Sequence, residues 1–424
     1  MSATTSVRPS EPFERTSSAE VPRYVARQPI LDARGRVHGY ELLFRDGPAL
    51  TFSGDGDNAT RTMLDNTILY GMDKLTGGLP AFVNCTKEAL IDKLVMILPS
   101  GLAVLEVLES LEPTPELLNA CRQLRAQGFR IALDDFLWRP EWEPFLEIAD
   151  YVKVDISIAG PAERAEIIHH LKGSSARLLA ERVETQAQFE QLRKEGFGLF
   201  QGFFFCRPVL IQNRGIPTNR MIHLEMLRAL VGDPLDHFLI SDLVKRDPSL
   251  TYRLLRLVNS PVFGIRNEVR SIQSAIGFIG DGMFRRMATV AIASEISGSS
   301  PSELLRMTFV RGRFCELAAD SISQNPTEQY LVGILSLLPA LMRTPMENLA
   351  GFMPLRAAAL EALLGSHNVE RGTLDWIESY EQGNWHECDQ SSLRLGLPVT
   401  LLPSIYAESI VWAETTLGRD AHEG

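Results

Sequence analysis

Residues 103–135 read AVLEVLESLEPTPELLNACRQLRAQGFRIALDD. The stretch opens on an apolar run, Ala103–Val107, broken only by Glu106, and ends on a second, Arg130–Leu133, closed by Asp134-Asp135. Between them Pro115–Gln127 has helical character. Strand, helix, strand in this order reads as part of a mostly parallel sheet. A carboxylate inside an apolar strand is costly unless it is paired or metal-bound. Glu106 and the aspartate pair are therefore the first candidates for a site.

The same texture extends in both directions. Strands are expected near Val25–Leu31, Val37–Phe44, Ala81–Asn84, Tyr151–Val154, Arg177–Ala180 and Leu199–Phe204. Helices are expected at Ala59–Leu75, Lys87–Ile97 and Gln186–Lys194. Repeated across one mid-sized domain, this alternation predicts a closed (β/α)8 barrel of the TIM type. The first two strands, joined through Asp32-Ala33-Arg34-Gly35, read as an antiparallel hairpin and make the barrel irregular. From about Ile216 onward the pattern is helical. Asp247-Pro248 reads as a cap and first-turn proline. The fold class is α/β plus all-α: a tail over 1–22, a barrel over 23–208, a linker over 209–220 and a helical domain over 221–424.

The chain has 424 residues, and 42 Lys and Arg against 53 Asp and Glu leave a net charge of −11. That balance argues against a nucleic-acid polymer as partner. No uninterrupted apolar stretch reaches the ~20 residues of a membrane helix, so no membrane insertion is expected. The five cysteines are scattered without a Cys-x-x-Cys pair, which points to a reducing cytoplasm.

Polar residues recur at the ends of the expected strands: Glu41, Asn84, Glu106, Asp134 and Asp135, Lys153, Glu181 and Gln201. One such residue is usually a satisfied ion pair; a series of them at comparable points implies a ring converging on one face. Carboxylate and amide oxygens without His or Cys suit hard cations such as Mg2+ or Mn2+. Adjacent acids can bridge two ions, and a lysine beside them can orient water or offset developing charge. The chemistry indicated is metal-assisted hydrolysis of a phosphate ester.

These residues also carry a family resemblance. Arg27-Gln28-Pro29-Ile30, Gly39-Tyr40-Glu41-Leu42-Leu43-Phe44-Arg45, Val83-Asn84-Cys85-Thr86, Leu105–Glu109, Leu133–Phe136, Val152–Asp155, Ala180–Thr185 and Gln201–Phe205 together resemble the EAL domains, barrel phosphodiesterases of cyclic di-GMP. The resemblance implies Glu41, Asn84, Glu106 and Asp134 as metal ligands, with Asp135 serving a second metal. It implies Lys153 and Glu181 at the attacking water, and Gln28, Arg45 and Gln201 at the substrate. Glu184 is implied to steady the loop after the aspartate pair. Mg2+ or Mn2+ is the implied cofactor and cyclic di-GMP the implied ligand, with a homodimer as an implied assembly. The chain departs from the pattern at Leu42, at Leu137-Trp138-Arg139-Pro140, and at Arg182, whose guanidinium is positioned in sequence to compete with a cation.

In the helical half, Asp242–Leu250, Leu254–Pro261 and Ser271–Ile276 resemble HDOD domains, helical relatives of HD phosphohydrolases, and Ser379–Trp385 fits the tandem EAL–HDOD arrangement. No His-Asp dipeptide occurs, so a catalytic HD metal centre is not expected. Three functions follow as expectations: a phosphodiesterase; a non-catalytic sensor or scaffold, favoured by Leu42, Leu137 and Arg182; and a helical docking platform for a signalling protein.

Overall fold

The computed structural model describes residues 23–46, 72–206, 218–231, 235–259, 269–297, 302–351, 353 and 355–417. The expected tail, most of the helix expected at Ala59–Leu75 and most of the expected linker lie outside them. Eight strands close a barrel in chain order: β1 (Arg23–Asp32), β2 (Val37–Asp46), β3 (Ala81–Cys85), β4 (Ala103–Val107), β5 (Arg130–Leu133), β6 (Tyr151–Asp155), β7 (Arg177–Glu181) and β8 (Leu199–Gln201). β1 runs antiparallel to both β2 and β8, and every other neighbouring pair is parallel. The irregular barrel expected from the sequence is the one observed.

Local chemistry sets the element ends. Thr114 caps Pro115–Ala126 through the Leu117 amide, and Thr185 with Gln188 forms a reciprocal cap on Gln186–Glu195. Two expectations are corrected. Lys87–Ile97 is not one helix: Lys87–Ile91 stops, Lys93 adopts φ 58°, and Leu94–Ile97 continues as a 3-10 turn. β8 ends at Gln201 rather than reaching Phe204. Gly202, at φ 139°, passes so close to the Val183 backbone that a Cβ would collide with it.

Strand alternation sorts the barrel interior into layers. Ile30, Phe82, Val104, Ala132, Tyr151, Leu179 and Leu199 form a closed apolar plug. Two residues along each strand, toward the mouth, come Gln28, Asn84, Glu106, Asp134, Lys153, Glu181 and Gln201, with Glu41 opposite Gln28 on β2. The intervening residues, such as Val83, Leu105, Leu133, Val152 and Ala180, point outward into the main core.

The second domain is helical throughout its described residues. Its first part comprises Thr218–Val231, His237–Lys245, Pro248–Val258, Ile272–Ile279 and Asp281–Ser297. Thr218 opens a helix inside the stretch expected as linker, and Asp247 accepts from the Leu250 amide as expected of a cap. In the later part, α1 (Ser302–Ser321) packs on α2 (Pro326–Leu335), α3 (Gly372–Glu381) and α5 (Leu401–Leu417), while α4 (Trp385–Leu395) lies against α3. Among the described residues no helix is long and apolar enough to cross a membrane.

β1 and β2 follow each other through a tight turn, so no crossover helix connects them. The helical domain lies against their outer side. Tyr380 meets the Val25 backbone, donating to its carbonyl (2.9 Å) and accepting from its amide (3.1 Å). Tyr40 donates to Glu303 (2.8 Å) and accepts from Arg306 (2.7 Å), and Arg27 lies over the Tyr40 ring at 4.6 Å.

Candidate active site

The layer above the apolar plug converges on one atom. Lys153 Nζ lies 2.6 Å from Glu106 Oε1, 2.6 Å from Asp134 Oδ1, 3.1 Å from Glu181 Oε1 and 3.4 Å from Glu41 Oε2. Five strands or strand ends supply these groups, and Lys153 and Glu106 are fully buried. Gln201 Nε2 donates to Glu41 Oε2 (2.6 Å) and to Gln28 Oε1 (2.9 Å), and Asn84 Nδ2 reaches Glu41 Oε1 at 3.4 Å.

The charges are unbalanced, and their directions of titration show it. Burial raises the carboxyls of Glu106 and Glu181 well above the usual range, Lys153 only partly offsetting it, and burial likewise raises Asp134. For Lys153 burial acts to lower the ammonium, but Glu106, Glu181, Glu41 and Asp134 together outweigh it and raise it. Glu106 Oε2, Glu181 Oε2, Asn84 Oδ1 and Gln201 Oε1 are buried without a hydrogen-bond partner, while Glu106 Oε1 and Asp134 Oδ1 share the single ammonium of Lys153. Buried groups of this kind are ordinarily satisfied, so the cluster calls for further ligands.

Asp135 follows in the left-handed region at φ 41° and is half-buried; it is not among the four acids around Lys153. Burial, then Asp155 and Glu109, raises its carboxyl. It borders both a cavity of about 840 Å3 above the cluster and an adjoining one of about 490 Å3 under the loop after β5. Among the described residues no three His, Cys, Asp or Glu side chains already stand as a preformed metal-ligand group. The carboxylates converge on the lysine instead.

The remaining expected residues fall as follows. Gln28 lies beside Gln201 at the mouth. Arg45 sits in β2 opposite Tyr24, with its side chain outside the described residues. Glu184 is exposed at the cavity edge, its amide donating to Gln188 Oε1. Arg182 does not compete for the cluster: its Nε pairs with Asp155 at 2.9 Å. Leu42 is fully buried, and alternation puts its side chain on the outer side of β2. Trp138 stacks on His170 at 4.0 Å and donates to Glu143 at 3.2 Å, pinning the unusual loop against its neighbouring helix. The sequence reading did not assign Gln382, Gly383 and Trp385 to the site, yet they line the larger cavity. The signal available was the Ser379–Trp385 motif.

Fold and mouth together define an α/β-barrel protein with an acid-lined mouth, joined to a helical domain. The model of the EAL domain matches residues 87–208 and that of the HDOD domain residues 216–346. The chain is 35% identical over 412 residues to cyclic di-GMP phosphodiesterase CdgJ of Vibrio cholerae, covering 95% of this chain and 94% of that protein. It is 31% identical over 405 residues to YuxH of Bacillus subtilis, covering 93% and 98%. Among solved structures, an EAL domain protein of Listeria monocytogenes matches 43% of this chain and 87% of its own at 22% identity and a TM-score of 0.37. A Klebsiella pneumoniae protein solved with manganese and cyclic di-GMP matches 44% and 55%, with the same identity and TM-score. The chain belongs to the family of tandem EAL–HDOD proteins.

Proposed function

We propose that the chain is a divalent-metal-dependent phosphodiesterase that opens cyclic di-GMP to its linear dinucleotide. The observation that carries this reading is the surplus of buried acid around Lys153, with oxygens left unsatisfied. With Asp135, five carboxylates and one ammonium have a formal charge of −4 when all are ionised, which two divalent cations would cancel. All-oxygen ligands suit Mg2+ or Mn2+. Glu41, Asn84, Glu106 and Asp134 would hold one ion and Asp135 would serve the second. When bound, such ions polarise a phosphodiester and make water nucleophilic near neutral pH.

The chain's own groups supply the rest. Glu181 takes the proton of the attacking water, and Lys153 offsets negative charge on the phosphoryl oxygens. Water adds to phosphorus, one P–O ester bond of the ring breaks, and a proton ends on the departing alkoxide. Gln201 keeps Glu41 and Gln28 in register, Gln28 and Arg45 contact the nucleotide, and Glu184 supports the loop beside Asp135. The name of the Vibrio relative supports the same substrate. In this reading the protein is a cytoplasmic signalling regulator whose helical domain receives a protein partner.

With Mn2+, the full chain should convert cyclic di-GMP to the linear dinucleotide, and Glu41→Ala should abolish turnover. Nucleotide binding without product would reject catalysis and leave the sensor reading standing.

A further inference from the structure

The cavity over Lys153 is built by two domains. Its floor is Glu41, Asn84, Asp134 and Glu181 from the barrel; its rim includes Gln382 and Gly383 from the turn between α3 and α4, and Trp385 at the start of α4. At about 840 Å3 it falls within the ~300–1,000 Å3 of small-molecule sites.

That turn is anchored on the barrel. Tyr380 is fully buried, with its hydroxyl bonded to both backbone groups of Val25. Gln28 Nε2 reaches the Glu381 carbonyl at 3.3 Å, and the Glu381 carboxylate is held by Arg311 at 2.7 Å. Gly383, at φ 67°, sits where a Cβ would stand 2.8 Å from Leu43 Cδ1 of β2. Asn384 caps α4 through the Glu387 amide, and the half-buried Trp385 indole packs edge-on against Tyr380 at 5.4 Å and 82°. A large aromatic ring is therefore held at the mouth of a phosphodiester-type site by contacts traceable to β1 and β2.

The acidic floor deals with the phosphodiester linkage, which is the same whatever bases it joins. Selectivity for a dinucleotide's bases needs a different surface, and an aromatic side chain offers a face on which a base stacks. We propose that Trp385 is a specificity-determining residue that receives one purine base of the cyclic dinucleotide, with the neighbouring Gln382 amide available to the base edge. The substrate site is then complete only when the helical domain is seated. This inference rests on the phosphodiesterase reading of the same cavity.

The test uses the full chain. In Mn2+, Trp385→Ala should raise the KM for cyclic di-GMP about tenfold to a hundredfold, more than it changes kcat, and Trp385→Phe should restore most of the loss. In a Glu181→Gln background, cyclic di-GMP should alter indole fluorescence, and the change should vanish on adding Trp385→Phe although binding persists. A KM independent of residue 385, or a fluorescence change that survives Trp385→Phe, overturns the assignment while leaving the phosphodiesterase reading intact. If the wild-type chain neither binds nor cleaves the nucleotide, that reading fails and the assignment falls with it. Should Trp385→Ala fail to fold, the fluorescence comparison decides alone.

Discussion

Two clusters of buried charge in the molecule are treated differently. At the domain interface and in the helices behind it Arg27, Arg306, Arg311 and Arg371 face Glu303, Asp375, Glu378, Glu381 and Glu414 in contacts of 2.5–3.7 Å, four cations to five anions. At the barrel mouth one lysine faces four acids, and several of the layer's buried oxygens lack a hydrogen-bond partner. Burial penalises charge in both, so matching it is the architectural solution. Leaving it unmatched is tolerable only where another positive species is due. On the proposed phosphodiesterase reading the interface is structure and the mouth function, although both gather Glu side chains around a basic partner.

The largest break of that comparison comes at the interface. Arg306→Met should leave Glu303 and the Tyr40 hydroxyl without their cation and cost about 3–5 kcal/mol in urea unfolding. Glu106→Gln, equally buried, should leave the metal-free stability unchanged or higher, because it removes surplus charge. A loss from Glu106→Gln as large as that from Arg306→Met would erase the distinction. The mouth should respond to metal instead. Mn2+ at a hundred times its Kd should stabilise the wild type by about 2.7 kcal/mol in thermal unfolding, and this gain should be absent in Glu106→Gln.

How far the sequence shows these two regions follows from the range of the forces involved. The mouth was legible because a strand alternates: Val104, Glu106 and Leu179, Glu181 place an apolar plug residue and a polar residue on the same inward face, two apart. That the acids would surround Lys153 was not legible, since spacing along a strand carries no information about distance across a barrel. The interface was less visible still. Tyr40 and Arg27 read as ordinary residues of a hairpin, and their partners Glu303, Arg306 and Glu414 lie more than 250 positions away. The break at Lys93 and the end of β8 at Gly202 depend on backbone conformations that apolar periodicity does not register. Trp385 belonged to a noticed motif, but only the seating of α3 on β1 brings it to the mouth.

A smaller test falls where the two regions meet. Gly383→Ala forces a side chain into a left-handed backbone position facing Leu43, for a loss of about 1–2 kcal/mol. Because the turn also borders the site, the variant should shift the KM for cyclic di-GMP as well as the unfolding midpoint. A variant that loses stability with no change in KM would make the turn purely a clamp.

The least of the expected effects contrasts the barrel's two ends in acid. Below the plug, His38 contacts Tyr151 at 3.0 Å and Arg177 at 3.2 Å. Burial first, then Arg177 and Arg130, lowers its imidazolium to about 4. The unfolded chain therefore takes up a proton near pH 6.5 that the folded chain refuses until about 4, so this end loses stability as the pH falls through that window. The raised carboxyls of Glu106 and Glu181 act in the opposite sense, since protonation relieves their burial. His38→Gln removes only the first contribution. Allowing for the partial exposure of His38, wild type minus variant should change by about 1 kcal/mol between pH 7 and pH 4.5, the wild type losing more. Parallel pH profiles for the two chains would mean that His38 titrates alike folded and unfolded, and that the acid response of the barrel belongs to its mouth alone.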